Sequence, residues 1–121
     1  MKKSTKPSNI LFFYSFVTAS RNTKGLAYLS KLDPVDERIL MELAMSWKDD
    51  IPITVLQTMH SCSFISTTTA HRRLTTLRTS GMIKLELDAN DNRVKFVVPT
   101  EKTIQYFDHL GLCIKNAAVG A

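Results

Sequence analysis

The chain has 121 residues, of which 44% are hydrophobic and 22% are charged, so it is long enough for one soluble globular domain with a modest core. Its formal net charge of +5 indicates an anionic partner, and nucleic acid ranks ahead of a membrane surface. The two cysteines, Cys62 and Cys113, lack CxxC or metal-ligand spacing, which is typical of reduced thiols in a cytoplasmic protein.

The first 32 residues predict an arm, a helix and a linker. Residues 1–8 carry three lysines and predict a flexible basic arm. Residues 9–32 are assigned to a helix, which begins near Ser8 and ends near Ser20, and to the linker that follows it. The basic start and the apolar run after it also resemble a signal peptide, but that run is too short to span a membrane as a helix. We favour a helix that is buried or pairs with a second copy.

Residues 33–99 predict a compact domain that opens with two helices. Asp33 can cap the first helix, whose buried stripe consists of Val35, Ile39, Leu43 and Trp47. This helix should end before Pro52, because the residue before a proline is pushed out of helical geometry. Thr54 can cap a short second helix, which we expect to bury Val55, Leu56 and Met59.

A third helix follows, and its composition is unusual. Ser66 can cap it and Gly81 can end it, while the buried face is formed at helical spacing by Ala70, Leu74 and Leu77. The rest is rich in threonine and arginine, and no acidic residue occurs between Asp50 and Glu86. Because threonine is a poor helix former, this composition indicates that the exposed face serves a function.

The pattern then changes to a period of two, which predicts a β-hairpin around the turn-forming stretch DANDN. The inner faces of its strands are assigned to Ile83, Leu85 and Leu87 and to Val94, Phe96 and Val98. Lys84 and Lys95 are assigned to its polar face. Pro99 ends the hairpin, and Thr100 can cap a last helix from about Glu101 to Ala117.

The last helix, within residues 100–121, is apolar on two sides. One stripe consists of Ile104, Phe107 and Ile114, and the other of Tyr106, Leu110, Cys113 and Ala117. One stripe can pack within its own chain, and the other needs a partner. Because the first helix has the same apolar excess, we predict a homodimer built from both terminal helices. The alternative is that the two helices bury each other in a monomer.

The order short helix, turn, long helix, glycine, hairpin is that of a helix-turn-helix followed by a wing. The stretch ISTTTAHRRLTTLRTSGMI resembles the recognition helix and following strand of winged helix-turn-helix regulators. The stretch LELDANDNRVKFVVPTEKT resembles the wing of the MarR (multiple antibiotic resistance regulator) family, with matching positions Asp91, Asn92, Arg93 and Thr100. The resemblance covers roughly residues 33–103. It implies a mainly α fold with a small β-hairpin (α+β), a winged helix-turn-helix with N- and C-terminal dimerisation helices.

The resemblance also implies double-stranded DNA as the partner. Many such regulators are controlled by a small-molecule effector, for which no residue here identifies a pocket. On the third helix, threonine hydroxyls can bond phosphates or bases, and arginine can bind guanine bidentately or clamp a phosphate. On the wing, a basic residue can reach the minor groove or a phosphate. The predicted DNA-contacting residues are therefore Ser66, Thr67, Thr68, His71, Arg72, Thr75, Arg93 and Lys95.

Purely structural interpretations compete with these assignments. Arg73 and Arg78 can be solvated or can pair with acids of the domain's first helix. Thr69 can pack against the preceding helix or support the helix cap. Arg93 can form a plain surface ion pair with Asp91, which contributes little to stability.

The sequence contains no convincing motif for catalysis or for cofactor binding. The chain has four glycines and no glycine-rich phosphate loop, and its histidines lack metal-ligand spacing. We therefore expect no enzymatic activity, metal or cofactor, and we predict a cytoplasmic, sequence-specific DNA-binding transcriptional regulator. Two alternatives stay open: a winged-helix module for protein interaction or assembly, and a DNA-binding protein of replication or of plasmid or phage maintenance.

Overall fold

The computed structural model describes residues 8–21 and 32–120. The predicted basic arm and linker therefore lie almost wholly outside the described residues. The helices are α1 (Ile10–Ser20), α2 (Pro34–Trp47), α3 (Val55–Ser61), α4 (Thr67–Thr79) and α5 (Glu101–Gly120), and the strands are β1 (Ile83–Leu87) and β2 (Lys95–Pro99). This layout confirms the mainly α, α+β fold class. Residues 32–104 form one compact unit, and the two terminal segments form a second.

Helix α2 contributes one face to the core of the 32–104 unit. The side chain of Asp33 accepts a hydrogen bond from the Asp36 N–H at 2.9 Å, which confirms the predicted cap. Three aliphatic side chains of this helix are completely buried, namely Ile39, Leu40 and Leu43. At the end of the helix, the Trp47 indole N–H donates to the Val97 carbonyl at 3.0 Å and so ties α2 to strand β2.

Helix α3 begins as predicted but buries a different residue. Thr54 and Gln57 form a reciprocal capping box, with hydrogen bonds of 2.9 and 3.0 Å. Thr58, not Leu56, is completely buried, and Leu56 is 62% exposed, so the prediction for Leu56 was wrong. The Thr58 hydroxyl donates to the Thr54 carbonyl, which satisfies the buried polar group. A helix of seven residues is too short for apolar periodicity to identify its buried face.

Helix α4 buries the three residues that the pattern assigned to its core, Ala70, Leu74 and Leu77. Ser66 caps it, because its hydroxyl accepts from the Thr69 N–H at 3.1 Å. The Ser66 hydroxyl also donates to the Thr69 hydroxyl at 2.9 Å, which confirms that Thr69 supports the cap. Gly81 ends the helix with a positive φ of 81°, and the Met82 N–H closes the last turn onto the Leu77 carbonyl.

The wing is an antiparallel hairpin in which the inward face of β2 differs from the prediction. Leu85 lies opposite Val97, and Leu87 lies opposite Lys95, so these four residues share one face. The inward residue of β2 is Val97, which is 1% exposed, and the assignment of Val94, Phe96 and Val98 was wrong by one position. Lys84 and Lys95 consequently lie on opposite faces. The run from Phe96 to Pro99 is apolar on both faces, so alternation cannot fix its phase.

The start of helix α5 is hydrogen-bonded to the segment between α4 and β1 within the 32–104 unit. The Thr100 and Thr103 hydroxyls donate to the Gly81 and Met82 carbonyls, respectively, and the Thr103 side chain is fully buried.

Farther along α5, one predicted stripe is buried at Tyr106, Cys113 and Ala117. The other stripe stays open: Ile104 is 49% exposed and Ile114 is 60% exposed. In the described segments, no helix has the length and apolar character needed to cross a membrane.

Candidate nucleic-acid interface

All eight residues predicted to contact DNA are exposed. Six of them belong to α4 or to its cap, and the other two, Arg93 and Lys95, belong to the wing. Helix α4 can offer this face because its opposite side is held by the buried residues Ala70, Leu74 and Leu77. A helix with one buried face and one polar, exposed face has the form needed to enter a DNA groove.

A surface groove of about 720 Å³ separates α4 from the wing. Helix α3 closes one side of it, and its apolar floor includes Leu56, Met59, Leu74, Leu85 and Val94. Its polar lining includes His71, Thr75, Arg78, Arg93 and Lys95, with no carboxylate among all the lining residues. We call this surface the basic groove. Four of the eight predicted residues line it: His71, Thr75, Arg93 and Lys95.

The other four predicted residues do not line the basic groove. Ser66, Thr67 and Thr68 lie at the start of α4, and Arg72 lies on its exposed side. The Ser66 hydroxyl is already engaged in the cap, whereas the N-terminal turn leaves Thr67 and Thr68 exposed. The predicted residues therefore form two adjoining surfaces, one around the start of α4 and one along the basic groove.

Arg78 was not among the predicted DNA contacts, although it lines the basic groove. Its relation to His71 and Thr75 is visible in the sequence, because the three residues stand at i, i+4 and i+7 and so share one helical stripe. With Ala70, Leu74 and Leu77 buried, helical geometry alone places Thr68, Arg72 and Thr75 farthest from the core. Both stripes contain Thr75, but only the stripe that begins at His71 also contains Arg78.

The threonines of α4 are accommodated by hydrogen bonds within the helix. The hydroxyls of Thr75, Thr76 and Thr79 donate to the carbonyls four residues earlier, at distances between 2.9 and 3.1 Å. Their oxygens can still accept a hydrogen bond, and their methyl groups can contact other surfaces. Threonine thus presents a mixed polar and apolar face on α4.

The wing tip is organised by Asp91. Its carboxylate accepts from the Arg93 N–H and from Arg93 Nε, both at 3.0 Å, and from Nη2 at 3.3 Å. The Arg93 side chain is 91% exposed, and the side-chain hydrogen bond from Arg93 lowers the pKa of the Asp91 carboxyl. The predicted ion pair between Asp91 and Arg93 is confirmed. It gives the Arg93 guanidinium a defined orientation at the wing tip.

Arg73, unlike the predicted DNA-contacting residues, links α4 to the start of α2 through ion pairs. Its Nη1 contacts Asp33 Oδ2 and lies 3.7 Å from Asp36 Oδ1. Asp36 is only 6% exposed, so burial raises the pKa of its carboxyl, and the nearby Asp33 adds to this rise. The Asp36 N–H and then Arg73 lower the pKa of Asp33. The suggested pairing with acids of the domain's first helix is confirmed, and it orients α4 against α2.

The same arrangement of helices and wing occurs in solved structures. A transcriptional regulator of Thermotoga maritima, Tm0710, matches 93% of this chain and 75% of its own with a TM-score of 0.64 and 18% identity. A second T. maritima protein, described as a MarR-like transcriptional regulator, matches with a TM-score of 0.62 and 14% identity over 95% of this chain and 81% of its own. The chain has the MarR-type winged-helix fold.

A MarR protein from Peptoclostridium difficile shares the MarR-type fold as well. Its TM-score is 0.55 and its identity 19%, over 98% of this chain and 75% of its own. No protein-family model matches the sequence, and no curated relative does. The likeness therefore lies in the fold, and the chemistry of this chain has to be argued from its own surface residues.

Proposed function

We propose that this chain is a cytoplasmic, sequence-specific transcriptional regulator that binds double-stranded DNA. Helix α4 enters the major groove, and the wing tip lies near the adjacent minor groove. The observation that carries the proposal is the basic groove, in which Arg78, Arg93 and Lys95 face one concave surface that has no carboxylate. The description of two neighbours in fold as transcriptional regulators supports the same role.

Charge distribution favours a polyanionic partner, as DNA is. The segment from Ile51 to Leu85 holds no acid, so no carboxylate on α3 or α4 repels a phosphate backbone. The cations stand on both walls of the basic groove, Arg78 on α4 and Arg93 and Lys95 on the wing. A phosphate strand lying along this groove would be neutralised from two sides, while Arg72 faces outward from α4 for base contact.

We also propose that the protein acts as a homodimer through its terminal helices. Helix α1 has no buried residue, and Leu11 and Phe13 are 58% and 60% exposed. Helix α5 exposes Ile114 at 60% and Leu112 at 52%. Association of such surfaces removes apolar area from water, and a two-fold dimer would read half-sites about 10 bp or a multiple apart.

Sedimentation analysis tests the dimer. Ile114→Glu should produce monomers, because a charge replaces an exposed apolar side chain on the proposed interface. Asn116→Glu adds the same charge at an exposed, already polar position of α5 and should leave the dimer intact. A monomeric native chain, or equal behaviour of the two variants, contradicts the proposed dimer.

Anisotropy titrations with a mixed-sequence duplex test DNA binding. Each phosphate contact contributes about 0.9 to the slope of log affinity against log salt, so Arg78→Ala and Lys95→Ala should each lower that slope by about 1. The matched control is Lys115→Ala, which removes one exposed cation from α5, outside the basic groove.

Two results would overturn the proposed function. A native chain whose duplex affinity is insensitive to salt makes no appreciable phosphate contact. Equal slopes for Arg78→Ala, Lys95→Ala and Lys115→Ala would show that the basic groove is not the binding surface. Either result would favour the protein-assembly module instead.

A further inference from the structure

The wing has a second groove on its other face, where the charge is reversed. This groove has a volume of about 340 Å³ and lies between the end of α2 and strand β2. The lining residues that matter here are Trp47, Asp50, Pro52, Glu86, Phe96 and Val98. Glu86 and Phe96 are cross-strand neighbours on the face opposite to Leu85 and Lys95, which line the basic groove. We call this second surface the acidic groove.

The acidic groove is unsuited to DNA. It is lined by two carboxylates and by no lysine, arginine or histidine, in a chain whose net charge is +5. Within the part of the chain that the structure describes, neither Asp50 nor Glu86 has an ion-pair partner within 4 Å. Phosphates would be repelled from this surface, whereas a cation would be attracted to it.

The walls of the acidic groove are aromatic and apolar. Trp47 and Phe96 supply the aromatic rings, with Pro52 and Pro99 beside them. The indole of Trp47 is fixed in place, because its N–H donates to the Val97 carbonyl. An aromatic face held in position binds a flat ring by stacking and a cation by its quadrupole. The volume lies in the range of small-molecule pockets.

Asp50, which lines the acidic groove, has an unusual backbone conformation. Its φ is +54°, the left-handed region that favours glycine, and it is the only non-glycine residue with positive φ among the described residues. The turn that follows α2 closes there, with the Ile51 N–H donating to the Ser46 carbonyl. Glycine would serve this turn with less strain, so removing the Asp50 side chain does not threaten the fold.

We propose that the acidic groove is a binding site for a small organic cation with a flat aromatic ring, such as an aryl amidine. The ring lies against Trp47 and Phe96, and the cationic head faces Asp50 and Glu86. This site is separate from the DNA-binding surface and does not depend on it. It nevertheless shares β2 with the basic groove, because Phe96 lies on one face of that strand and Lys95 on the other.

The single tryptophan of the chain makes the site directly observable. Trp47 gives the only indole N–H signal in a 15N-resolved NMR spectrum, and that signal arises at the groove itself. Benzamidine, benzamide and benzoate carry the same ring with a cationic, a neutral and an anionic head. Titrated into the full chain without DNA, benzamidine should shift the indole signal with an affinity about tenfold above that of benzamide. Benzoate should not shift it.

Charge-neutralising variants identify the carboxylates that hold the head group. Asp50→Asn and Glu86→Gln should each weaken benzamidine binding about two- to fivefold, the range expected for exposed ion pairs. Asp50→Gly should weaken binding as well but should not lower the melting temperature, which separates loss of the site from loss of the fold. The matched control is Asp108→Asn on α5, which changes net charge equally and should leave the affinity unchanged.

Three outcomes would overturn the proposal. Equal affinities for the three probes would show that the carboxylates do not select charge. Unchanged binding in the Asp50→Asn, Glu86→Gln double variant would place the probe elsewhere. A shift caused by an arginine-rich peptide but not by benzamidine would identify a protein segment as the occupant. Each outcome is independent of the DNA titrations, because no duplex is present.

Discussion

The substitution Arg73→Met should destabilise the fold more than any other loss of a cation from α4. Methionine keeps the aliphatic length of arginine but removes the charge that lies 3.7 Å from Asp36 Oδ1. The Asp36 carboxylate would then stay buried, at 6% exposure, without a counter-ion. Breaking a fully buried ion pair by removing one partner costs about 3–5 kcal/mol.

The expected cost is smaller than that, because the site is partly open to solvent. The side chains of Arg73 and Asp33 are 30% and 39% exposed, so water screens part of the lost attraction. We therefore expect Arg73→Met to lower the free energy of unfolding by about 2–3 kcal/mol at pH 7. For a chain of this size, that change lowers the melting temperature by roughly 10 °C.

Urea denaturation of Arg73→Met and of Arg78→Met provides the assay. Arg78 stands on the same helix but is exposed, so its substitution should stay within about 0.5 kcal/mol of the native chain. Equal losses for the two variants would refute the reasoning, since they would show that burial of Asp36 carries no penalty.

The pH dependence gives a second check on the same cluster. Burial raises the pKa of Asp36, so the folded chain holds this proton more tightly than the unfolded chain does. Asp36 therefore favours folding below its ordinary pKa of 3.8, and this advantage is lost as the pH rises through the raised pKa. A neutral Asp36 needs no counter-ion, so the cost of Arg73→Met should shrink as the pH falls from 7 toward 4. A cost that grows over this range would contradict the assignment.

Three further substitutions test the elements that position α4 and the wing. Gly81→Ala should cost about 1–2 kcal/mol in urea denaturation because φ is +81°, and a neutral result would contradict the need for a left-handed residue. Thr103→Val should cost about 1–2 kcal/mol by removing the donor to the Met82 carbonyl, whereas Thr79→Val, at an exposed position, should cost less than half as much. Leu77→Ala should cost about 2–5 kcal/mol in thermal unfolding, and a loss below 1 kcal/mol would show that its site collapses without a cavity.

The features that sequence predicted well are set by short-range chemistry. Asp33 and Ser66 cap their helices by hydrogen bonds to N–H groups three residues later, and Gly81 closes α4 by its own backbone conformation. Each of these signals needs only neighbouring residues to operate. The caps of α2, α3 and α4, the glycine end of α4 and the order helix, turn, helix, wing could therefore be predicted from sequence alone.

The features that sequence predicted poorly depend on distant contacts. Two hydrogen bonds decide which residues of β2 face inward. The Val97 N–H donates to the Ile53 carbonyl, and the Trp47 indole N–H donates to the Val97 carbonyl. Neither partner is near Val97 in sequence. Arg78 joins the basic groove because the wing folds over α4 and brings Arg93 and Lys95 to the same surface. Periodicity within one helix identifies its buried and exposed faces, but it does not identify the other element that lies beside the exposed face.

Selection from a pool of random duplex DNA tests the central claim most directly. The native chain should enrich a preferred sequence with two half-sites about 10 bp or a multiple apart. Arg72→Ala should weaken binding to that sequence by about 1–3 kcal/mol and relax the preference at one base position in each half-site. A native chain that enriches no sequence, with a profile that Arg72→Ala leaves unchanged, would contradict sequence-specific recognition through α4.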